Sequence, residues 1–149
     1  MSDLPESPLG ERFSAAVHNT ARGWRLLIDK QLKHLGIGQA GWMTIAMIAK
    51  STEPMSQRAL ADLVGVEGPS MVSMLDRLER EGLVTRAPSP TDRRVKLVHL
   101  TEAGTALYKQ VKEQANAVRG ALLGDIDPAQ LKAATELLEL LRKRIEEQL

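Results

Sequence analysis

The sequence predicts a mainly α fold carrying one small β-hairpin, and three observations point to it. Of 149 residues, 43% are hydrophobic but only 3% aromatic (Phe13, Trp24, Trp42 and Tyr108), so Ala, Leu and Val supply the apolar mass, which suits helix packing better than aromatic-rich strands. Apolar residues recur at spacings of three and four over most of the chain, the period of an amphipathic helix. Only between residues 83 and 100 do β-branched and aliphatic runs flank a turn-rich stretch, as in a hairpin. A chain of this length fits one domain that buries roughly two-thirds of its unfolded surface.

The first helix is expected over about residues 9–35, with Leu9, Phe13, Ala16, Thr20, Trp24, Leu27 and Gln31 in one stripe and Gly36 and Gly38 as its stop. A second helix fits Gln39 to Lys50, with Trp42, Ile45 and Ala49 on one face, stopped by Ser51, Thr52, Glu53 and Pro54. Ser56 is placed to cap a short helix over Gln57 to Val64, and Gly65 to end it in the left-handed conformation. From Gly68 another helix begins. Met71, Met74, Leu75 and Leu78 share its core side, whereas Pro69, Ser70, Ser73, Arg77 and Arg80 share the other.

Leu83 to Arg86 and Val95 to Leu100 read as strands around the connector Pro88, Ser89, Pro90, Thr91 and Asp92. Thr101 caps a helix to about Leu123, with Leu107, Val111, Val118 and Leu122 in register. Asp127, Pro128 and Gln130 form an N-cap, an N1 proline and a capping-box partner for the last helix. There Leu131, Ala134, Leu138, Leu141 and Ile145 make a stripe that Leu137 and Leu140 widen. The two terminal helices thus offer more apolar surface than one small core needs, which predicts a helical dimer interface through Leu9, Phe13, Leu131, Leu138, Leu141 and Ile145. The alternative is that both fold back on their own domain.

Twenty Lys and Arg face 19 Asp and Glu, so the net charge of +1 does not advertise nucleic-acid binding; only clustering can. Such clustering occurs beside a helix-turn-helix pattern. Ala61 removes bulk where two helices cross, Gly65 allows the tight turn, and Met71 closes the small core. The second helix then projects its N-terminal half outward, toward a major groove. Downstream, Arg86, Arg93, Arg94 and Lys96 oppose the single anion Asp92. Arginines on a flexible tip suit the negative potential of a minor groove, and Asp92 is placed to orient one of them.

The run Ser56 to Gly82, the Asp92-Arg93-Arg94 tip and the closing Leu100-Thr101-Glu102 resemble the MarR family of winged helix-turn-helix transcriptional regulators. Ser7-Pro8-Leu9-Gly10, Trp24 to Asp29 and Glu67-Gly68-Pro69-Ser70 resemble its SlyA branch. The resemblance implies a homodimer whose terminal helices (about 9–35 and 102–149) intertwine while lobes of about 39–100 read a near-palindromic operator in double-stranded DNA. It places Ser56, Pro69, Ser70, Ser73, Arg77, Arg80, Asp92, Arg93, Arg94 and Lys96 at the DNA. SlyA-like proteins carry arginine where this chain has Ser73, so a bidentate guanine contact there is lost and operator preference should differ. The function implied is repression or counter-silencing, modulated by a small aromatic carboxylate for which Arg22, Arg25 and Trp42 are the candidates, Arg25 to clamp it and Trp42 to stack, in a crevice made more apolar by Ala40, Ala46 and Met74; the alternative for the two arginines is as interhelix or surface partners. The competing reading of Trp42 is as a core residue.

A different class of reading is a winged-helix protein-interaction module without specific DNA binding, which would have no need of Arg93, Arg94 and Lys96. Zero cysteines exclude disulfides and thiolate metal sites, and His18, His34 and His99 lack metal-ligand spacing; no cofactor is expected. No Gly-x-Ser-x-Gly, His-Glu-x-x-His or phosphate-cradling glycine loop supports an enzyme. Met43, Met47, Met55, Met71 and Met74 fall at core spacing rather than forming an oxidation switch. Met1 to Gly10, with acids at Asp3 and Glu6, lacks a basic n-region and an apolar h-region. The expectation is a cytoplasmic protein, associated with the nucleoid when on DNA.

Overall fold

A computed structural model describes residues 8–149; Asp3, Glu6 and Ser7 lie outside the described residues. The order is α1 (Pro8–Leu32), a 3-10 turn (Lys33–Leu35), α2 (Gly38–Lys50), β1 (Met55–Ser56), α3 (Gln57–Val64), α4 (Gly68–Arg80), β2 (Val84–Pro88), β3 (Lys96–Leu100), α5 (Glu102–Leu123) and α6 (Pro128–Glu146). The chain divides into two compact units, one reaching to Asn116 and one spanning Ala117–Leu149.

In the first unit, Ile28, Leu32, Ile37, Trp42, Ile45, Leu60, Met71, Leu75, Leu78, Val84 and Val98 are closed to solvent. The face of α1 that is covered differs from the expected stripe. Ile28 and Leu32 are buried and Val17, Trp24 and Leu27 half-buried, whereas Ala16, Thr20 and Gln31 are exposed. Both buried residues of α1 lie in its last turns, whereas Leu9 and Phe13 of its first half are 65% and 37% exposed. The α2 helix is buried on several sides, not one: Gly41, Trp42, Thr44, Ile45 and Ala46 are all covered. Thr44, fully buried, satisfies its hydroxyl on the Ala40 carbonyl at 2.7 Å and lies 3.6 Å from Met74 Sδ, as a buried donor must.

Ser56 caps α3, its Oγ accepting from Ala59 N–H at 3.1 Å. Gly65 ends α3 at φ 78°, where its N–H and that of Val66 both donate to the Ala61 carbonyl; a side chain would strain this left-handed residue. Ala61, 4% exposed, sits where α3 packs on α4. The sheet is antiparallel with order β1-β3-β2. The two-residue β1 was not expected, since two residues carry no alternation to read; Met55 pairs Val98 and Ser56 pairs Leu97. Three strand bounds also move. β2 starts at Val84 and runs through Pro88, which reads from the sequence as connector, and β3 starts at Lys96 rather than Val95. Proline is tolerated there because β2 is an edge strand.

Thr101 closes the hairpin onto α5. Its Oγ1 donates to the Gly82 carbonyl at 2.6 Å and accepts from Gly104 N–H at 3.0 Å. Gly104 must be glycine because a Cβ there would lie 2.1 Å from the Leu83 carbonyl oxygen. In α5, Val111 and Val118 are buried but Leu122 is 40% exposed. In the second unit Asp127 caps α6 by accepting from Gln130 N–H at 3.2 Å. No residue of α6 is buried: Leu131 and Leu141 are half-covered, Leu138 is 47% and Ile145 58% exposed.

Candidate nucleic-acid interface

The first unit carries two exposed polar features, the outer side of α4 and the wing tip. Burial of Met71, Leu75 and Leu78 fixes the rotation of α4, and a 3.6-residue period then leaves Pro69, Ser70, Ser73 and Arg80 exposed on the opposite side. Pro69 stands in the first turn, where a missing N–H costs nothing. Small side chains let a helix backbone come close to base edges, and the positive end of its dipole favours phosphate. Neither a guanidinium nor an amide stands at residues 69, 70 or 73, so bidentate readout of guanine or adenine is unavailable at these positions.

The tip is an ordered turn. Ser89 N–H donates to the Val95 carbonyl at 2.8 Å and Val95 N–H to the Asp92 carbonyl at 3.0 Å. Asp92 receives Arg94 three ways: backbone N–H at 3.0 Å and Nε at 3.2 Å on Oδ1, and Nη2 at 3.3 Å on Oδ2. The Arg94 side-chain bonds, then its backbone N–H, hold the Asp92 carboxyl below the usual aspartate range. Arg94 nonetheless keeps 91% of its side chain exposed. It is aimed outward by the aspartate, not buried by it. Arg93 and Lys96 are exposed beside it.

Three arginines that the sequence treats alike thus have different surroundings. Arg86 does not join the cationic tip: Nε donates to Glu79 at 2.8 Å, Nη2 to Asp76 at 2.5 Å and Nη1 to Gln57 at 3.0 Å. Its side chain is only 18% exposed, and the Glu79 hydrogen bond, offset by burial and reinforced by Asp76, raises its proton affinity. Counting it with the tip is corrected by this pairing, since its charge is already matched by two carboxylates. Arg77, expected at the DNA, keeps 44% of its side chain exposed but donates to the Gly36 carbonyl and, at 3.3 Å, to Glu81, so it braces α4 against the corner between α1 and α2. Ser56, also expected there, is half-buried with its oxygen committed to the α3 cap. Asp76, Glu79 and Gln57 escaped the sequence reading; the i, i+3 acid pair on α4 was the available signal, but nothing in one dimension aims it at residue 86.

Trp42 is 7% exposed and its indole N–H donates to Asp29 at 3.1 Å, which favours the core reading of this residue over stacking on a ligand. Arg22 and Arg25 are exposed on α1. An open groove of about 530 Å³ is lined by other residues, Ile48, Pro54, His99, Thr105 and Tyr108 among them. Among the described residues no group of three or more His, Asp or Glu converges to hold a metal, and no helix is long and apolar enough to cross a membrane.

Residues 40–96 match the model of the MarR family. The chain is 35% identical to the transcriptional regulator PA3341, over 91% of this chain and 98% of that one, with a TM-score of 0.84. A MarR transcriptional regulator from Methanosarcina mazei Go1 is 24% identical, with 93% and 99% covered and a TM-score of 0.81. The transcriptional regulator SlyA shares the fold at 17% identity, with 91% and 95% covered and a TM-score of 0.78.

Proposed function

The chain belongs to the MarR family of transcriptional regulators, and from that premise we propose that it is a sequence-specific regulator that binds duplex DNA as a homodimer on a near-palindromic operator. The observation that carries this reading is the small, polar, exposed side of α4 beside a tip whose Arg93, Arg94 and Lys96 face solvent. The helix side would meet a major groove, through Pro69, Ser70 and Ser73 with Arg80 near the backbone, and the tip would enter the adjoining minor groove. Direct readout would rest on single hydrogen bonds and apolar contacts, leaving a larger share of the specificity to duplex shape.

Dimerisation would use the exposed stripe Leu138 and Ile145 with Leu131 and Leu141 on α6, and Leu9 and Phe13 on α1. Two lobes held by such an interface are spaced by it, which is why a ligand that prefers one spacing would change DNA affinity by its differential affinity for the two forms. Arg22 and Arg25 are the remaining candidates to clamp an aromatic carboxylate, without Trp42. Repression or counter-silencing in the cytoplasm follows from this reading.

Selection from a random-sequence duplex pool at about 150 mM salt, where non-specific phosphate binding is suppressed, tests the function. The expected outcome is a shared palindrome, with Arg94→Ala weakening its binding by about 1–3 kcal/mol and lowering the salt slope. A folded dimer that enriches no sequence would overturn the reading in favour of a protein-interaction module.

A further inference from the structure

The α4 surface and the wing tip can act together only if the hairpin is held at a fixed angle to the helix, and a β-hairpin by itself is a weakly constrained lever. Arg86 sits midway along β2, opposite the buried Val98 of the central strand. Its three nitrogens reach three side chains on two helices: Asp76 and Glu79 of α4 and Gln57, the first residue of α3. Gln57 follows Ser56, which pairs with Leu97 on the far edge of the same sheet. One planar group therefore ties β2 to α4 and to the start of α3.

We propose that Arg86 is a positioning residue, a clasp that fixes the wing's direction relative to α4 so that tip and helix meet the duplex as one rigid unit. The inference rests on the DNA-binding reading and deepens it by dividing the wing arginines into one that aligns and others that touch. Two physical arguments support it. A guanidinium offers donors in a rigid fork, so three acceptors set at different directions define its orientation, and with it the orientation of the strand; an ammonium is a point charge that cannot do the same. The second argument is electrostatic. Asp76 and Glu79 keep 51% and 45% of their side chains exposed on the flank of α4, where unmatched carboxylates would repel phosphate. Arg86 pairs with both and leaves them one net negative charge instead of two. An arginine guanidinium stays charged throughout the physiological pH range, so the clasp does not depend on its titration.

Full-length Arg86→Gln, Arg86→Lys and Glu79→Gln test the proposal by two readouts. The first needs no DNA: hydrogen exchange of the wing amides (residues 84–96) should accelerate about tenfold in Arg86→Gln, the loss of charge-assisted bonds, and recover in part in Arg86→Lys. The second uses the duplex that the wild-type protein selects from a random pool. Arg86→Gln should weaken binding about tenfold while leaving the slope of log K against log salt unchanged, because no phosphate contact is removed. A slope reduced by about 0.9 makes Arg86 a phosphate contact and overturns the proposal; unchanged exchange and unchanged affinity overturn it equally. Should Arg86→Gln not fold, Glu79→Gln, which leaves the Asp76 bond in place, carries both readouts with smaller shifts in the same direction. If the wild type selects no duplex, the DNA-binding reading fails and the exchange readout alone decides for or against the clasp.

Discussion

In α4, Met71, Leu75 and Leu78 recur at steps of four and three and are 0%, 0% and 1% exposed; in α6, Leu131, Leu138, Leu141 and Ile145 follow the same kind of period, yet Leu138 and Ile145 remain 47% and 58% exposed. Both helices are amphipathic, both start on a proline in the first turn, and both carry arginines in or near the last turn. What differs is the source of cover. For α4 it comes from α3 and β2, elements within a few residues along the chain. The unit that holds α6 spans only Ala117–Leu149, and Val118 is its one buried residue. A helical period says that a face will be buried and is silent on what buries it. An apolar face left open over Leu137, Leu138, Leu140 and Ile145 is the surface on which the proposed dimer rests.

The comparison breaks most severely if the α6 face is not an interface. Leu138→Glu with Leu141→Glu should abolish the dimer, yielding monomers or unfolded chains by light scattering, because a carboxylate in an apolar interface is buried without a partner. An intact dimer would move the interface off α6. Next in size, Leu75→Ala should cost about 2–5 kcal/mol of folding free energy, read as a drop in the denaturant midpoint. That drop should be the same at all protein concentrations if the cover of α4 is its own chain, whereas stability of an α6 variant should depend on concentration. Helix caps sharpen the contrast further. Ser56→Ala and Asp127→Ala should each cost about 1 kcal/mol, the first lowering the thermal midpoint of the lobe, the second raising the dimer dissociation constant; both acting on the lobe alone would contradict the separation.

The smallest effect belongs to the tip, the part of the lobe that is open like α6 but polar. Arg94 holds the Asp92 carboxyl below its ordinary range. A depressed acid contributes above the ordinary carboxylate pKa and loses its contribution as pH falls through the lowered value, so tip order should be constant near neutrality and fade only below about pH 4. Carboxyl chemical shifts of Asp92 should titrate low in the native protein and return toward the usual range in Arg94→Ala. An unshifted midpoint in the native protein would dissolve the pair in solution.

Helix identities, the turn at Gly65, the caps at Ser56, Thr101 and Asp127 and the polar side of α4 were legible in the sequence, because each depends on residues at most four apart. Family membership was legible for a related reason, the joint presence of several such short patterns in order. β1 was not, since its two residues become a strand only by pairing with Val98 and Leu97, some 40 residues on. The fates of the cations were not legible either. Arg77, Arg86 and Arg94 are the same residue type with the same charge. One meets Gly36, 41 positions away, one meets Gln57, 29 away, and one meets Asp92, two away. Of all their partners only Asp92 and Glu81, four residues from Arg77, lie within reach of local reading, and Asp92 was accordingly expected to orient an arginine. Sequence by itself determined which faces are apolar and which turns are tight, because those follow from covalent geometry and nearest-turn contacts. Tertiary structure decided which charges stay open to a partner, because a charge is quenched by whatever carboxylate or carbonyl the folded chain brings within about 3 Å, and that is a property of the path, not of the residue.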